Sequence, residues 1–337
     1  MDRYSRQILF DKIGESGQKK LLDSRVAIMG CGALGTVIAN NLARAGIGYL
    51  RVIDRDIVEL NNLQRQMLFD ERDAVASLPK AIATANKLRQ INSSIEIESE
   101  VTDVNYKNVD KLLKDIDIVL DGLDNMETRF LVNESCIKNN IPWVYGAAVG
   151  AMGSTVTIIP GKTACLKCII DELPSPGTLP TCERVGVLNT VTNMIASLET
   201  TEALKFLVGE PVNKDLIFID VWGPSFDNLK IKRLANCSVC VKKEFKILKG
   251  GGEDTTFATT CCGRNAVQIR PPKEVNLSLE ALRMSLEKIG EVVFKGYLLV
   301  FKVDKYEMII FPDARVMVKG TRDESIARNL YAKYIGV

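Results

Sequence analysis

Five groups of residues have the types and spacing that chemistry needs. Gly30-Cys31-Gly32-Ala33-Leu34-Gly35 fits G-x-G-x-x-G, the turn in which backbone amides and a helix N-terminus face phosphate oxygens. Asp54 stands 19 residues past Gly35, where a carboxylate meets ribose hydroxyls. A polar run from Asp56 to Gln66 follows, holding Asn62, Arg65 and Gln66, and then Lys80 directly after Pro79. A cation in the first turn of a helix opposes the macrodipole, and an anionic ligand there reverses that sign. Asp121-Gly122-Leu123-Asp124-Asn125 sets two carboxylates at the end of an apolar run; Asp124 suits magnesium on phosphates or, alternatively, caps the helix that starts near Met126. Cys165-Leu166-Lys167-Cys168 and Cys237-Ser238-Val239-Cys240 are two Cys-x-x-Cys knuckles, 68 residues apart. Together their thiolates make a closed structural zinc site; separately they are two unrelated pairs, one of them redox active. Cys182, in an expected loop beside Arg184, is the candidate reactive thiol.

These groups need elements to hold them. Val26–Gly30 reads as a strand, the glycines as a tight turn, and the residues through Ala45 as a helix. Apolar runs at Tyr49–Ile53, Ile95–Val101, Ile116–Leu120 and Pro142–Val149 alternate with helical patterns at Lys80–Ile91 and Met126–Asn139, which predicts a mostly parallel sheet with helices on both faces. Ser154–Ile159 alternates as an antiparallel strand does, a loop runs from Pro160 to Pro180, and a long helix is expected over Leu188–Val208. Further strands are expected near Leu216–Val221 and Leu229–Leu234. The expected plan is an α/β, Rossmann-like domain over residues 1–245, a glycine-bearing linker over 246–258, and a small α+β domain over 259–337. That last domain is expected to hold strands near Ala266–Ile269, Tyr297–Val303, Met308–Phe311 and Arg315–Val318, and helices near Leu279–Ile289 and Glu324–Tyr334.

Composition narrows the chemistry. The chain has 337 residues, a net charge of +2 and no histidine. Without imidazole, Ser-His-Asp and Cys-His catalysis are excluded, as are zinc sites that need a His ligand. The near-neutral balance argues against a general nucleic-acid binder, and no apolar run is long enough for a membrane helix, so a cytoplasmic protein is expected. Nine cysteines with two Cys-x-x-Cys pairs point to metal or redox chemistry before a disulfide framework. Cys31 and Cys136 read as small core residues, and Cys261-Cys262 has no assigned role. Pro160-Gly161-Lys162-Thr163 imitates the end of a P-loop, but Val156 stands where its first glycine belongs, so it reads as a turn.

The glycine turn alone suggests NAD and a dehydrogenase. The run through Arg65 and Lys80 favours ATP instead, because a triphosphate carries more charge than a pyrophosphate and a planar Arg fork suits it. With Arg3-Tyr4-Ser5-Arg6-Gln7, Asn61-Asn62-Leu63-Gln64-Arg65-Gln66, Leu78-Pro79-Lys80, Asp121–Asn125, Thr181-Cys182 and both knuckles, the sequence from Arg3 to about Cys240 resembles the ThiF/MoeB/HesA adenylyltransferases, bacterial relatives of ubiquitin-activating enzymes. The resemblance implies ATP on Gly30, Gly32, Gly35 and Asp54, phosphate contacts from Asn62, Arg65 and Lys80, and Mg2+ on Asp124. It further implies that Arg6 reaches the neighbouring subunit's site, making a homodimer. The implied partner is a ubiquitin-like sulfur-carrier protein whose terminal Gly-Gly carboxylate is adenylylated, for thiamine-thiazole or molybdopterin biosynthesis. A cysteine desulfurase or persulfide carrier is the implied sulfur donor. Ala33 and Asn61 depart from the common family pattern. The tail beginning Cys262-Gly263-Arg264 resembles that of longer members from Gram-positive bacteria. A catalytically silent carrier-binding scaffold is the remaining alternative.

Overall fold

A computed structural model of the chain describes residues 2–173, 182–250, 257–260, 265–271 and 275–336. The end of the expected loop through Pro180, Thr181, the glycines of the expected linker from 251 on, and Cys261-Cys262-Gly263-Arg264 lie outside the described residues. The chain divides into two compact units, Met1–Gly251 and Gly252–Val337. Among the described residues no helix is long and apolar enough to cross a membrane.

The first unit is built on an eight-stranded sheet. Its strands are β1 (Arg25–Met29), β2 (Tyr49–Ile53), β3 (Glu96–Glu100), β4 (Ile118–Asp121), β5 (Trp143–Val149), β6 (Met152–Ile158), β7 (Leu216–Asp220) and β8 (Ser225–Leu229). They lie in the order β3-β2-β1-β4-β5-β6-β7-β8, with β1 to β5 parallel and the last three added antiparallel. Alternate residues of β1 explain why both faces are covered. Val26 and Ile28 join one core with the helices Ala33–Ala45, Lys80–Ile91 and Asn189–Val208. Ala27 and Met29 join another with the helices Val109–Leu112 and Met126–Asn139. A parallel sheet needs such two-sided cover because its crossover helices pack on both faces. The order of β1 and β4 reverses the direction of winding, so the loops after these two strands open a crevice at the carboxyl edge.

One expected strand sits elsewhere. Residues Leu229–Leu234 are not a strand; β8 ends at Leu229, because the hairpin from β7 closes over four residues. Asp220 Oδ1 accepts from the amides of Trp222 and Gly223, at 2.9 and 3.1 Å, and turns the chain early. All five residues of β8 are exposed, so no apolar alternation marked them.

The second unit carries a six-stranded antiparallel sheet of β9 (Phe257–Thr260), β10 (Ala266–Arg270), β11 (Glu291–Phe294), β12 (Leu299–Val303), β13 (Tyr306–Ile310) and β14 (Val316–Lys319), in the order β11-β12-β13-β14-β10-β9. The helices Leu279–Leu286 and Glu324–Tyr334 complete its core. Neither β9 nor β11 was among the expected strands. Ahead of this unit, the Ile247 and Leu248 amides donate to Glu134 Oε2 at 2.9 and 3.0 Å, which fastens that stretch of the expected linker to the first unit.

Candidate active site

The glycines after β1 do three different jobs. Gly30 adopts a φ of +92° and presses on the loop after β4; a Cβ there would lie 2.4 Å from the Gly122 carbonyl oxygen. At Gly35 a Cβ would come within 1.8 Å of the Gly30 oxygen. Both glycines are therefore required by packing. Gly32 is not: the nearest atom to a Cβ there is the Gly122 oxygen at 3.6 Å, so a methyl group would intrude only on the open crevice. Gly32 caps the helix Ala33–Ala45, whose free amides supply positive potential at the same place. That cradle fits a phosphate group.

Asp54 ends the β2 segment inside the turn. Its Oδ2 accepts from the Cys31 amide and its Oδ1 from the Asp56 amide, each at 2.7 Å. Burial pushes its carboxyl above the usual range, and the Lys80 charge opposes that rise. Lys80 opens the helix Lys80–Ile91, is buried, and faces Asp56 Oδ2 at 3.5 Å. A solvated surface position is thereby excluded for it. On the adjoining loop, Asn62 and Gln66 are buried, and Gln66 Oε1 has no hydrogen-bond partner. A buried amide oxygen without a donor costs on the order of 1 to 3 kcal/mol, which a bound hydroxyl or amine would relieve.

The opposite wall comes from the loop after β4. Asn125, not Asp124, caps the helix Met126–Asn139, accepting from the Thr128 amide at 2.9 Å. Asp124 is left exposed, with one oxygen accepting from Asn125 Nδ2 at 3.2 Å. Asp121, its companion in sequence, is fully buried and paired with Arg129, so it holds structure.

Cys182 opens the short helix Cys182–Val185 and its Sγ donates to the Ala148 carbonyl at 3.3 Å. The sequence suggested a lowered pKa from Arg184. Instead burial raises the thiol; the charges of Arg65 and Arg129 lower it, and that of Asp124 raises it. The fold thus brings Cys182, Arg65 and Asp124 within electrostatic reach of one another, while Arg184 is exposed. Arg65 itself donates from Nη1 to the Asn61 carbonyl at 2.9 Å, leaving the rest of its fork available.

Arg6 is not brought to this crevice. Its neighbour Gln7 donates to the Ala45 carbonyl at 2.9 Å, at the far end of the helix Ala33–Ala45. Thirteen helical residues span about 20 Å, so Arg6 is exposed at the opposite edge of the sheet from Gly32.

The two knuckles do meet. The Sγ atoms of Cys165, Cys168, Cys237 and Cys240 all lie within 4.8 Å of one another, with three pairs at 3.9, 3.7 and 3.5 Å. Tetrahedral Zn–S bonds of about 2.3 Å put sulfurs about 3.8 Å apart, so the donor set fits zinc and leaves no open position. Asn133 Oδ1 accepts from the Leu166 amide at 2.9 Å, so the helix that begins at the crevice also seats the first knuckle. Cys31 and Cys136 are buried core residues as expected, and Pro160–Thr163 is a turn whose Thr163 hydroxyl binds the Ile159 amide at 2.7 Å.

Residues 4–239 match the ThiF family. The chain belongs to the ThiF family. Along its full length it is 42% identical to a sulfur carrier protein ThiS adenylyltransferase of Bacillus subtilis, covering 99% of each chain. It is also 37% identical to the SAMP-activating enzyme E1 of Haloferax volcanii, over 71% of this chain and 88% of that one. Among solved structures, Escherichia coli MccB with ATP matches at a TM-score of 0.62 and 28% identity, covering 71% of this chain and 74% of that one. ThiF membership sets aside the dehydrogenase that the glycine turn alone suggested. Two buried ionisable residues beside Asp121, Arg129 and Glu199, escaped the sequence reading. Their burial arises only from the packing of their helices and leaves no mark in the sequence.

Proposed function

We propose that this chain transfers AMP from ATP to the C-terminal Gly-Gly carboxylate of a ubiquitin-like sulfur-carrier protein. The observation that carries this reading is the convergence of a phosphate cradle, the buried Lys80 cation, Arg65 and the exposed Asp124 carboxylate on one crevice. A carboxylate oxygen of the carrier attacks the α-phosphorus, the bond from that phosphorus to the bridging oxygen breaks, and pyrophosphate leaves with the electron pair. A free α-carboxyl has a pKa of about 3.5 and is already ionised at neutral pH, so no general base is needed and the lack of histidine is no handicap. Catalysis then rests on positioning and on charge. Lys80 and Arg65 lie against the phosphates, Gly32 offers the close backbone approach, and Asp54 orders the turn. Asp124 would hold Mg2+, whose chemistry is to neutralise phosphate charge. Arg6 serves the site of a second copy; Leu9 and Phe10 beside it, 72% and 57% exposed, support a homodimer.

The four clustered cysteines hold structural Zn2+. In a later step the Cys182 thiol loses its proton and attacks the acyl-adenylate carbonyl, forming a thioester to the carrier as the bond to AMP breaks and AMP leaves with the electron pair; a cysteine desulfurase or persulfide carrier supplies the sulfur in the cytoplasm. The full-length likeness to a ThiS adenylyltransferase supports a thiamine-thiazole carrier over a molybdopterin one. The test is ATP–pyrophosphate exchange with each carrier type. Exchange is expected with the ThiS-like carrier, and Asp124→Ala should lower it at least a hundredfold with the fold intact. Exchange with neither carrier would favour a silent scaffold.

A further inference from the structure

A buried polar cluster lies beneath the crevice, and nothing above assigns it a task. Arg129 sits four residues past the cap Asn125, on the helix Met126–Asn139, with its side chain buried. Its guanidinium reaches oxygens of three residues, and its Nη1 also contacts Met126 Sδ at 3.9 Å. Nε donates to Asp121 Oδ2 at 3.1 Å, and Nη2 donates to the carbonyls of Leu123 and Gly146, both at 2.7 Å. Those acceptors belong to the end of β4, to the loop residue just before Asp124, and to β5. Asp121 Oδ1 in turn accepts from the Leu123 amide at 2.9 Å. Both polar backbone atoms of Leu123 are thus held, and Asn125 is fixed by its capping bond. Asp124 is the residue between two pinned neighbours.

Glu199 completes the cluster from the helix Asn189–Val208. It is fully buried, neither of its carboxyl oxygens has a hydrogen-bond partner, and it packs so closely on Gly146 that a Cβ there would lie 1.8 Å from Oε1. Burial, helped by the charge of Asp121 and opposed by Arg129, pushes its carboxyl well above the usual range. The carboxylate paired with Arg129 is that of Asp121, 3.1 Å from Nε. The guanidinium is therefore engaged by Asp121 and two backbone carbonyls, under the loop that presents Asp124.

We propose that Arg129 is a positioning residue for the metal site: by tying Leu123 to β4 and β5, it sets the Asp124 carboxylate where a metal on the phosphates must lie. This rests on the reading of Asp124 given above. A lysine keeps the charge but lacks the fork that satisfies several acceptors at once.

The test is Mn2+ binding to the ATP-loaded full chain, followed by electron paramagnetic resonance. In Arg129→Lys, Mn2+ affinity should fall at least tenfold, while ATP affinity without added divalent metal stays within twofold of the wild type. Asp124→Asn should show the same loss, and the combined variant no more than a further twofold. Mn2+ binding within twofold of wild type in a folded Arg129→Lys protein overturns the proposal. So does a parallel loss of metal-free ATP binding, which would mark general damage. Should Arg129→Lys not fold, Arg129→Met combined with Asp121→Asn removes both buried charges together and undergoes the same titration, with the same two outcomes. Wild-type carrier-dependent exchange is measured alongside; its absence with normal Mn2+ binding tells against adenylylation and leaves the Mn2+ result to decide the role of Arg129.

Discussion

Gly32 and Gly35 share a motif but differ in what a methyl group would meet. A Cβ at position 35 would strike backbone 1.8 Å away, whereas one at position 32 has 3.6 Å. Gly35→Ala should therefore cost several kcal/mol of stability, about 3 or more, and Gly32→Ala about 1 or less. Gly32→Ala should nonetheless weaken ATP binding at least tenfold, read by calorimetric titration beside thermal melts. Retained affinity would mean that phosphate does not approach this turn. Cys182 offers a second test at this scale. Its thiol is raised by burial, so it is protonated at neutral pH and its alkylation by iodoacetamide should be slow at pH 7 and climb steadily beyond pH 9. Asp124→Asn removes a charge that raises the thiol and should speed alkylation at pH 8; Arg65→Gln should slow it. Identical rates in all three proteins would separate Cys182 from the crevice.

Among the elements, the helix Asn189–Val208 carries an electrostatic cost, because it buries Glu199 with neither carboxyl oxygen hydrogen-bonded. An unfolded Glu titrates near 4.3, and the folded carboxyl is raised well above the usual range. Well below pH 4 both states are protonated and the group is neutral in its effect. As pH rises toward the folded value the unfolded state alone ionises, so the folded state is progressively disfavoured. Glu199→Gln should therefore gain stability over wild type by an amount that grows as pH rises from about 4 toward the raised folded value, read in urea titrations. A difference that does not change with pH would show the carboxyl to be ionised in place. On the helix Met126–Asn139, Arg129 is paired at the crevice, and Asn133 Oδ1 accepts at the cysteine cluster while its buried Nδ2 has no partner.

For the whole molecule, the first unit draws its two cores from residues before Gly251, and the core of the second draws on residues after it. The alignment to the Haloferax volcanii relative takes in 71% of this chain and 88% of that one, which matches the extent of the first unit. A chain ending at Gly250 should fold and retain the proposed carrier-dependent exchange within about threefold. Loss of exchange in a folded truncated protein would assign the second unit a part in handling the carrier. Local sequence by itself determined the strands and helices that flank the crevice, the glycine turn, the separate knuckles and the absence of imidazole chemistry, because periodicity, turn residues and composition act over a few residues, whereas the exposed β8 and the short β9 and β11 carried no such pattern. Local bonds made Asn125 rather than Asp124 the helix cap and turned the β7–β8 hairpin early, whereas contacts between distant segments brought Arg65 within electrostatic reach of Cys182. Those distant contacts also decided that Arg129 and Glu199 lie buried together. A charge on a helix carries no mark of what it will face until the sheet order places β4 and β5 beneath it, and desolvation, which sets its protonation, exists only in the packed molecule.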